Sequence, residues 1–596
     1  MCAICGWLFT DPGHLQSLHL QQLLQSMHHR GPDDSGIFID KEVGVALGHN
    51  RLSIIDLSPG GHQPMVNPNN GDVLVFNGEI YNFRELRTEL EGRGVRFKSQ
   101  SDSEVLLMAF EQWGADCVRH IRGMFSFAIW QMKENALYLF RDPAGIKPLY
   151  YWCPPWGGLV FASEVKAFLQ IPGFPARLDG RALQQFLEFG YCFEPSQSIF
   201  EGVCRLPPGH FLRLKAGAQP QLKDYFAPDL CQDLKESKES LEEALFETLR
   251  IVVRQHLRAD VPVGLLLSGG IDSSLLAALA AQNGDIRTIS MGFAQSKIDE
   301  RPAASAVASF IGSNHEEVLI APEEIINTLS ETIPYFDDLF ADWGTISTRL
   351  LYRKCRERGI KVVLVGEGAD ELFGGYDIFR QSFSSAPTEW WLFQLYRRYA
   401  GQRHGRCYKA FRQIMREHLD ATKNDRFAAM RLFESRNQLP GNYVMKVDKA
   451  SMSVSVEARV PFLDQRVLEV AYRIPRAQLL SRDNEKQILR NIASHNRLLP
   501  SQTINQRKFG ASMAASWMDE SPTFRNFAQE KILDSGSWTT ALGLHHAMHQ
   551  YFFQNRRGYS MPHAISIFRN LAWRLLILEM WSKSYSLSPN LGGKSL

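Results

Sequence analysis

Two features of this chain have residue types and spacings that could do chemistry: Cys2, directly behind Met1, and Ser268-Gly269-Gly270-Ile271-Asp272-Ser273. Removal of Met1 would leave Cys2 with a thiol and a free α-amine on one residue. That amine, with an ordinary pKa of about 7.7–8.0, can act as the base for its own side chain. The Ser-Gly-Gly-x-Asp-Ser run lies behind the apolar stretch 263–267 and ahead of a helical pattern at 273–281. A Gly-rich turn between a buried strand and a helix points backbone N–H groups and the positive end of a helix dipole at an anion, so this loop reads as a phosphate cradle. It lacks the Gly-Lys-Ser/Thr of a Walker A motif. A second loop, Gly366-Glu367-Gly368-Ala369-Asp370-Glu371, follows the apolar run 362–365. Carboxylates in such a loop suit a divalent cation and phosphates.

The elements that must hold these groups change character along the chain. Over 1–210, short strands alternate with turn signals, and helical patterns cover about 13–28, 83–93 and 103–114, which predicts an α+β fold or a layered sheet sandwich. Arg51-Leu52-Ser53-Ile54-Ile55-Asp56 puts an arginine at a strand start, Asn77-Gly78-Glu79-Ile80 follows an apolar strand, and Ser101-Asp102-Ser103-Glu104 reads as a helix N-cap. Residues 214–238, with Gly217, Pro220, Pro228 and a charged run, read as a linker into a helix at 239–257. From Val261, apolar runs at 263–267, 286–293, 317–320 and 362–365 alternate with helical stretches, the signature of a parallel α/β sheet. Residues 380–580 read as mainly helical and 581–596 as a frayed tail.

Composition narrows the classes. A length of 596 residues allows about three or four domains, and 44% apolar with 22% charged residues is ordinary for a globular chain. A net charge of +2 gives no electrostatic footprint for nucleic acid or membrane. The first residues carry no secretory pattern and no stretch is long enough to span a bilayer, so a cytoplasmic enzyme is expected. Nine cysteines, an odd number, fit thiols in a reducing compartment; Cys2 and Cys5 form a lone C-x-x-C without a second ligand pair. The basic and aromatic stretch 390–413 reads as a helical insertion with a solvated face.

In order along nearly the whole chain, Met1-Cys2-x-Ile4-x-Gly6, His29-Arg30-Gly31-Pro32-Asp33, Arg51-Leu52-Ser53-Ile54, Asn77-Gly78-Glu79-Ile80-Tyr81-Asn82, Ser101-Asp102 and Arg141-Asp142-Pro143-x-Gly145-x-Lys147-Pro148-Leu149-Tyr150 resemble the class II glutamine amidotransferases, and specifically the glutamine-dependent asparagine synthetases. The phosphate loop, the Gly-Glu-Gly-Ala-Asp-Glu loop, Asp448-Lys449-Ala450-Ser451-Met452, Glu457-Ala458-Arg459-Val460-Pro461-Phe462-Leu463-Asp464 and Glu485-Lys486-Gln487-Ile488-Leu489-Arg490 extend the resemblance through the second half. Position 3 is Ala where many members have Gly, Val365 stands where many have Ser, and Gln506-Arg507-Lys508-Phe509-Gly510 departs from the usual order.

The resemblance implies an N-terminal-nucleophile hydrolase sandwich (αββα) over 2–213, then an α/β parallel-sheet ATP pyrophosphatase domain over 239–580 with a helical C-terminal region. It implies that Cys2 attacks the side-chain amide of glutamine, with Asn77 and the Gly78 N–H as oxyanion donors. Arg51, Leu52, Ser53, Ile54 and Ile55 would line the glutamine pocket, Arg51 forking the α-carboxylate, while Glu79 and Asp102 receive the α-ammonium. Leu267, Ser268, Gly269, Gly270, Asp272, Ser273, Met291, Val365 and Gly366 would bind ATP. Asp272 and Asp370 would hold Mg²⁺, Glu367 would assist at the acyl-adenylate, and Lys486 would stabilise phosphate charge. The expected reaction is amidation of a carboxylate, aspartate first among the acceptors, with ammonia passing through an apolar tunnel. The Pro461-Phe462-Leu463-Asp464 segment would be structural, and the acceptor pocket would draw on 336–349, including Trp343. A homodimer is compatible with the resemblance; nucleic acid and membrane are not expected partners. The same architecture serves other carboxylate acceptors (secondary metabolites, peptides, cell-envelope sugars) and ATP-dependent cyclases of the β-lactam or lasso type.

Overall fold

A computed structural model describes residues 2–9, 17–227, 236–294, 299–380, 389, 392–394, 396, 407–481, 484–506, 518–519, 521–534, 536–553 and 562–588. In chain order the strands of the first half are β1 (Ala3–Leu8), β2 (Asp34–Asp40), β3 (Val45–Arg51), β4 (Met65–Val66), β5 (Val73–Ile80), β6 (Gly123–Gln131), β7 (Ala136–Arg141), β8 (Tyr150–Trp152), β9 (Leu159–Ala162), β10 (Val203–Arg205), β11 (His210–Lys215) and β12 (Gln221–Asp224). They form two six-stranded sheets, β10-β8-β9-β1-β3-β2 and β12-β11-β7-β6-β5-β4. Pairing is antiparallel, as between β1 and its neighbours β3 and β9.

The sheets face each other across Ile4, Leu8, Val45, Leu47, Val73, Val75, Ala128, Trp130, Leu137 and Leu139, all buried. Helix α1 (Ser17–Ser26) covers the outer face of the first sheet, and α2 (Phe83–Gly92) and α3 (Asp102–Trp113) lie on the side of the second. Both faces of β1 are therefore covered: Ile4 and Leu8 point into the inter-sheet layer, while Ala3, Cys5 and Trp7 belong to the core that includes Leu20, Leu23 and Leu24 of α1. That is why β1 reads as a continuous apolar run and not an alternating one. This is the expected αββα sandwich, and it places Cys2 at the entrance of a central strand.

The second half carries α5 (Lys238–His256), β13 (Val263–Leu266), α6 (Ile271–Ala281), β14 (Arg287–Phe293), α7 (Arg301–Ile311), β15 (Asn314–Ile320), α8 (Pro322–Thr332), α9 (Thr345–Glu357), β16 (Val362–Leu364) and β17 (Glu457–Arg459), with α4 (Gly180–Phe189) before them. The sheet order is β15-β14-β13-β16-β17, all parallel. In such a sheet the loops at the carboxyl ends of central strands hold ligands. Here those loops are 267–270 after β13 and 365–368 after β16.

Three expectations need correction. The segment Glu457–Arg459, read as part of a helical region, is the fifth strand; three residues are too few to show a period, and β16 captures them. The linker does not begin at 214: β11 runs to Lys215, β12 follows, Phe226 is buried, and the Tyr225 hydroxyl donates to the Arg141 carbonyl at 2.6 Å. The helix after it starts at Lys238 with Ser237 as N-cap, and 228–235 lie outside the described residues. The tail does not begin at 581 either. The helix Pro562–Ser584 buries Trp581 and Ser582, because its indole and hydroxyl side fills the core, while 589–596 lie outside the described residues. Within 390–413 the residues 397–406 are likewise outside, and 408 onward is the helix Tyr408–Ala421.

Candidate active sites

Cys2 is buried, and its backbone N–H donates to Asn77 Oδ1 at 3.0 Å. Arg30 Nε donates to the Cys2 carbonyl at 3.0 Å. Burial pushes the Cys2 thiol up, against a hydrogen bond from the Leu52 backbone and the charge of Arg51, which pull it down. Asn77 donates through Nδ2 to Ser126 Oγ at 3.3 Å, and Ser126 donates to the Pro148 carbonyl at 3.1 Å. The amide of Asn77 is thus oriented from both ends, with its oxygen on the nitrogen that becomes the α-amine once Met1 is removed. Gly78 runs against β6, where a Cβ would collide with the Met124 carbonyl, so only glycine fits.

Arg51 is buried and donates to the carbonyls of Ser58 (3.0 Å) and Ile55 (3.3 Å) and to that of Asp56. A Cβ on Gly61 would collide with its guanidinium. Ser53 N–H donates to Asp33 Oδ2 at 2.9 Å, and Ile54 offers its carbonyl to Asp260 N–H at 2.9 Å. Asp102 opens α3, with Ser101 as its N-cap, and accepts the Ile80 N–H at 3.0 Å. Burial raises its pKa to about 6, against the Ile80 hydrogen bond. Glu79 is reached from the second half of the chain. Its carboxylate is engaged by Arg459 Nη2 at 3.0 Å, a residue of the other half. Burial, then the neighbouring Asp102, pushes its acid well above the usual range, against the pull of Arg459. The structure thus gathers Cys2, Arg51, Leu52, Asn77, Gly78, Glu79 and Asp102 around the start of β1 and the end of β5.

The second site is a cavity of about 370 Å³. It is lined by Leu267, Ser268, Gly270, Asp272, Ser273, Met291, Val365, Gly366, Glu367, Asp370 and Lys486. Gly269 supports it from behind: its φ is +77° and a Cβ would meet the Ala303 carbonyl carbon at 2.7 Å. Ser273 Oγ accepts the Ser268 N–H at 3.1 Å, and Ser268 Oγ accepts the Gly270 N–H at 3.3 Å, so the cradle is braced internally. Lys486, in left-handed backbone conformation at φ +54°, places its ammonium on Asp272 Oδ2 and 2.6 Å from Asp370 Oδ1. The two carboxylates raise its pKa against burial. Burial raises the Glu367 acid, with Lys446 opposing.

Asp272 and Asp370 already share one cation, the Lys486 ammonium, at the mouth of the phosphate loop. Two hard carboxylates converging on one positive centre beside a phosphate cradle would suit Mg²⁺, with phosphates and water as its further ligands. Sequence reasoning missed Lys446, Tyr443 and Tyr352 as wall residues of this cavity. Lys446 stands two residues before the quoted Asp448-Lys449 motif, the one signal that could have drawn attention to it. From 336–349, Thr348 reaches the cavity wall, and Asp342 lies 3.4 Å from Lys446. Asp338 instead pairs with Arg205 at 2.7 Å, Asp337 with Lys449, and Trp343 stacks on Trp573 at 4.4 Å. Trp343 therefore docks the C-terminal helix and does not line this cavity.

The apolar core is continuous through both halves, and buried ion pairs are set into their boundary. Arg30 forks Asp448 at 2.8 and 3.1 Å and also reaches Glu164 at 3.0 Å. Lys147 lies 3.5 Å from Asp448.

Comparison with known proteins agrees with this division. The glutamine amidotransferase domain family model matches residues 1–226 and the asparagine synthase model matches residues 244–583. The chain is 32% identical over 585 residues to asparagine synthetase [glutamine-hydrolyzing] 1 of Bacillus subtilis, covering 90% of this chain and 91% of that protein. It is 30% identical over 557 residues to asparagine synthetase B [glutamine-hydrolyzing] of Escherichia coli, covering 90% and 86%. It is 32% identical over 422 residues to amidase chry2 of Gibberella zeae, covering 66% and 62%.

Proposed function

We propose that this chain, which belongs to the asparagine synthase family and is a glutamine-dependent carbon–nitrogen ligase, converts aspartate, glutamine, ATP and water to asparagine, glutamate, AMP and pyrophosphate. In this reading Cys2 Sγ attacks the amide carbon of glutamine, its proton passing to its own α-amine. The oxyanion is met by the Gly78 N–H and the Asn77 amide, and ammonia leaves a thioester that water hydrolyses to glutamate. Arg51 and Asp102 hold the two ends of the amino acid.

In the second cavity the acceptor carboxylate displaces pyrophosphate from the α-phosphorus of ATP. Lys486 balances the charge on the departing phosphates, and the 268–273 loop cradles them through backbone N–H groups. Asp272 and Asp370 would hold Mg²⁺, which supplies neutralisation of phosphate charge when bound. Ammonia then attacks the acyl carbon and AMP leaves. Glu367, its acid raised by burial, is suited to take the proton that the nitrogen loses. Ammonia released to bulk water at neutral pH becomes inert ammonium, so transfer runs through the interior between the halves.

The observation that carries the reading is the Lys486 ammonium seated between Asp272 and Asp370 at the mouth of a braced phosphate loop. Aspartate as acceptor is supported by what the relatives covering about nine-tenths of the chain are named for. The eight described cysteines, all free thiols, suit a reducing, cytoplasmic setting. Incubation with amide-¹⁵N-glutamine, MgATP and aspartate tests the proposal by mass spectrometry. Labelled asparagine with AMP supports it, and glutamate without asparagine removes aspartate as acceptor.

A further inference from the structure

We propose that Arg459, a residue of the nucleotide-binding half, is a positioning residue for the glutaminase site, which is complete only when the two halves are docked. The inference rests on the glutaminase reading proposed above. Arg459 is fully buried and four of its N–H donors are committed. Nη2 reaches Glu79 Oε2 at 3.0 Å, Nε reaches Glu457 Oε1 at 2.6 Å, and Nη1 reaches the carbonyls of His256 and Arg258 at 2.6 Å each. A planar guanidinium with fixed donor directions sets the position of what it binds, as a lysine point charge does not. What it binds here is Glu79, the residue after Gly78 and two after Asn77 on β5. The same end of β5 is held from the other side by Asp102 on the Ile80 N–H.

The opposite wall is tied to the second half as well. Asp260, three residues before β13, accepts the Asp56 N–H at 2.8 Å through its carboxylate and donates its own N–H to the Ile54 carbonyl at 2.9 Å. The carbonyls of Ile55, Asp56 and Ser58 in the same loop orient the Arg51 guanidinium. Tyr81 stacks on His256 at 3.6 Å between ring centroids, and Arg258 pairs with Glu85 at 2.7 Å, so the seam beside β5 is closed. Arg459 also touches the second cavity through its backbone: its carbonyl accepts the Val365 N–H at 2.9 Å, and Val365 lines the nucleotide wall. One residue therefore fixes the distance between the oxyanion end of β5 and the loop after β16.

The test uses the full chain with Arg459→Met, Arg459→Lys and Asp260→Ala, reading glutamate release from glutamine as separate kcat and KM, and MgATP affinity by calorimetry. Arg459→Met is expected to lower glutaminase kcat/KM by about 100-fold, the cost of misplacing a catalytic constellation by an ångström. MgATP affinity stays within about twofold, and Arg459→Lys recovers only part of the loss. Asp260→Ala, at an exposed position, raises the glutamine KM by roughly tenfold with kcat held, as expected when only ground-state positioning is lost. Parallel loss of glutaminase activity and MgATP affinity in Arg459→Met marks a structural role and overturns the inference, as does unchanged glutaminase activity. If Arg459→Met does not fold, Asp260→Ala decides, and an unchanged glutamine KM overturns the proposal. A wild-type chain that releases no glutamate sinks the function proposed above; an active wild type with unaffected variants sinks this inference alone.

Discussion

Lys486 Nζ stands 2.6 Å from Asp370 Oδ1 while also touching Asp272, so one ammonium joins the two Gly-rich loops. Gly375 is packed so closely that a Cβ would collide with both Asp370 and Lys486 Cε. Lys486→Met removes the charge and leaves two carboxylates facing each other. AMP formation should fall by about 100-fold or more, as on loss of one transition-state electrostatic partner. Glutamate release should persist. Gly375→Ala should reproduce the defect, and equal loss of both activities in either variant would contradict the assignment.

Cys2→Ala removes the proposed nucleophile and is expected to leave the second cavity intact. Glutamine-driven synthesis should fall by more than about 10,000-fold, the scale seen when a nucleophile is deleted. Synthesis from added ammonium chloride should survive. Retained glutamine use would transfer the role to another thiol.

In the proposed role of Asp102 as receiver of the α-ammonium, glutamine binding depends on pH. Burial raises its pKa to about 6, so it is ionised, and able to receive an α-ammonium, above that value. The glutamine KM should rise as pH falls through this range, by up to about tenfold per unit. The sign for stability is opposite: the folded chain holds this proton more tightly than the unfolded one, so ionising Asp102 costs stability as pH rises through the same window. A pH profile of KM for wild type and Asp102→Asn checks the first, denaturant unfolding of the same pair across pH checks the second, and a flat wild-type KM profile would exclude Asp102 from the pocket.

Arg30 and Asp448 form a buried fork between the halves. Asp448→Ala leaves Arg30 buried with one anionic partner fewer, which should cost about 3–5 kcal/mol in denaturant unfolding. Arg30 and Lys147 hold the Asp448 carboxyl, despite burial, below the usual carboxylate range. Its contribution is therefore present above the unfolded value near pH 4 and fades only below it. A loss under about 1 kcal/mol would show that solvent reaches the pair.

Local readings succeeded where one element carries its own signal. The Ser101 cap and the strand–Gly loop–helix at 263–281 each report a backbone state that depends on a few adjacent residues. The same locality explains the failures. Residues 214–224 look like a polar linker because β12 is an exposed edge strand, and edges need little apolar pattern. The seating of Trp343 on the C-terminal helix leaves no mark in the sequence, because its stacking partner, Trp573, lies more than two hundred positions away.

By itself the amino-acid sequence pointed to a glutamine-dependent carbon–nitrogen ligase, laid out the αββα and parallel-sheet layers, and put forward Cys2, Asn77, Asp272, Asp370 and Lys486 as candidate site residues. Tertiary structure alone decided who stands next to whom across the boundary. Arg459 on Glu79, Asp260 on the Arg51 loop and Asp448 on Arg30 are pairs separated by hundreds of residues, with no periodicity or spacing to mark them. A local pattern reports which face of an element is apolar. Which buried charge answers another is settled only when desolvation forces each charge to find a partner in the closed interior.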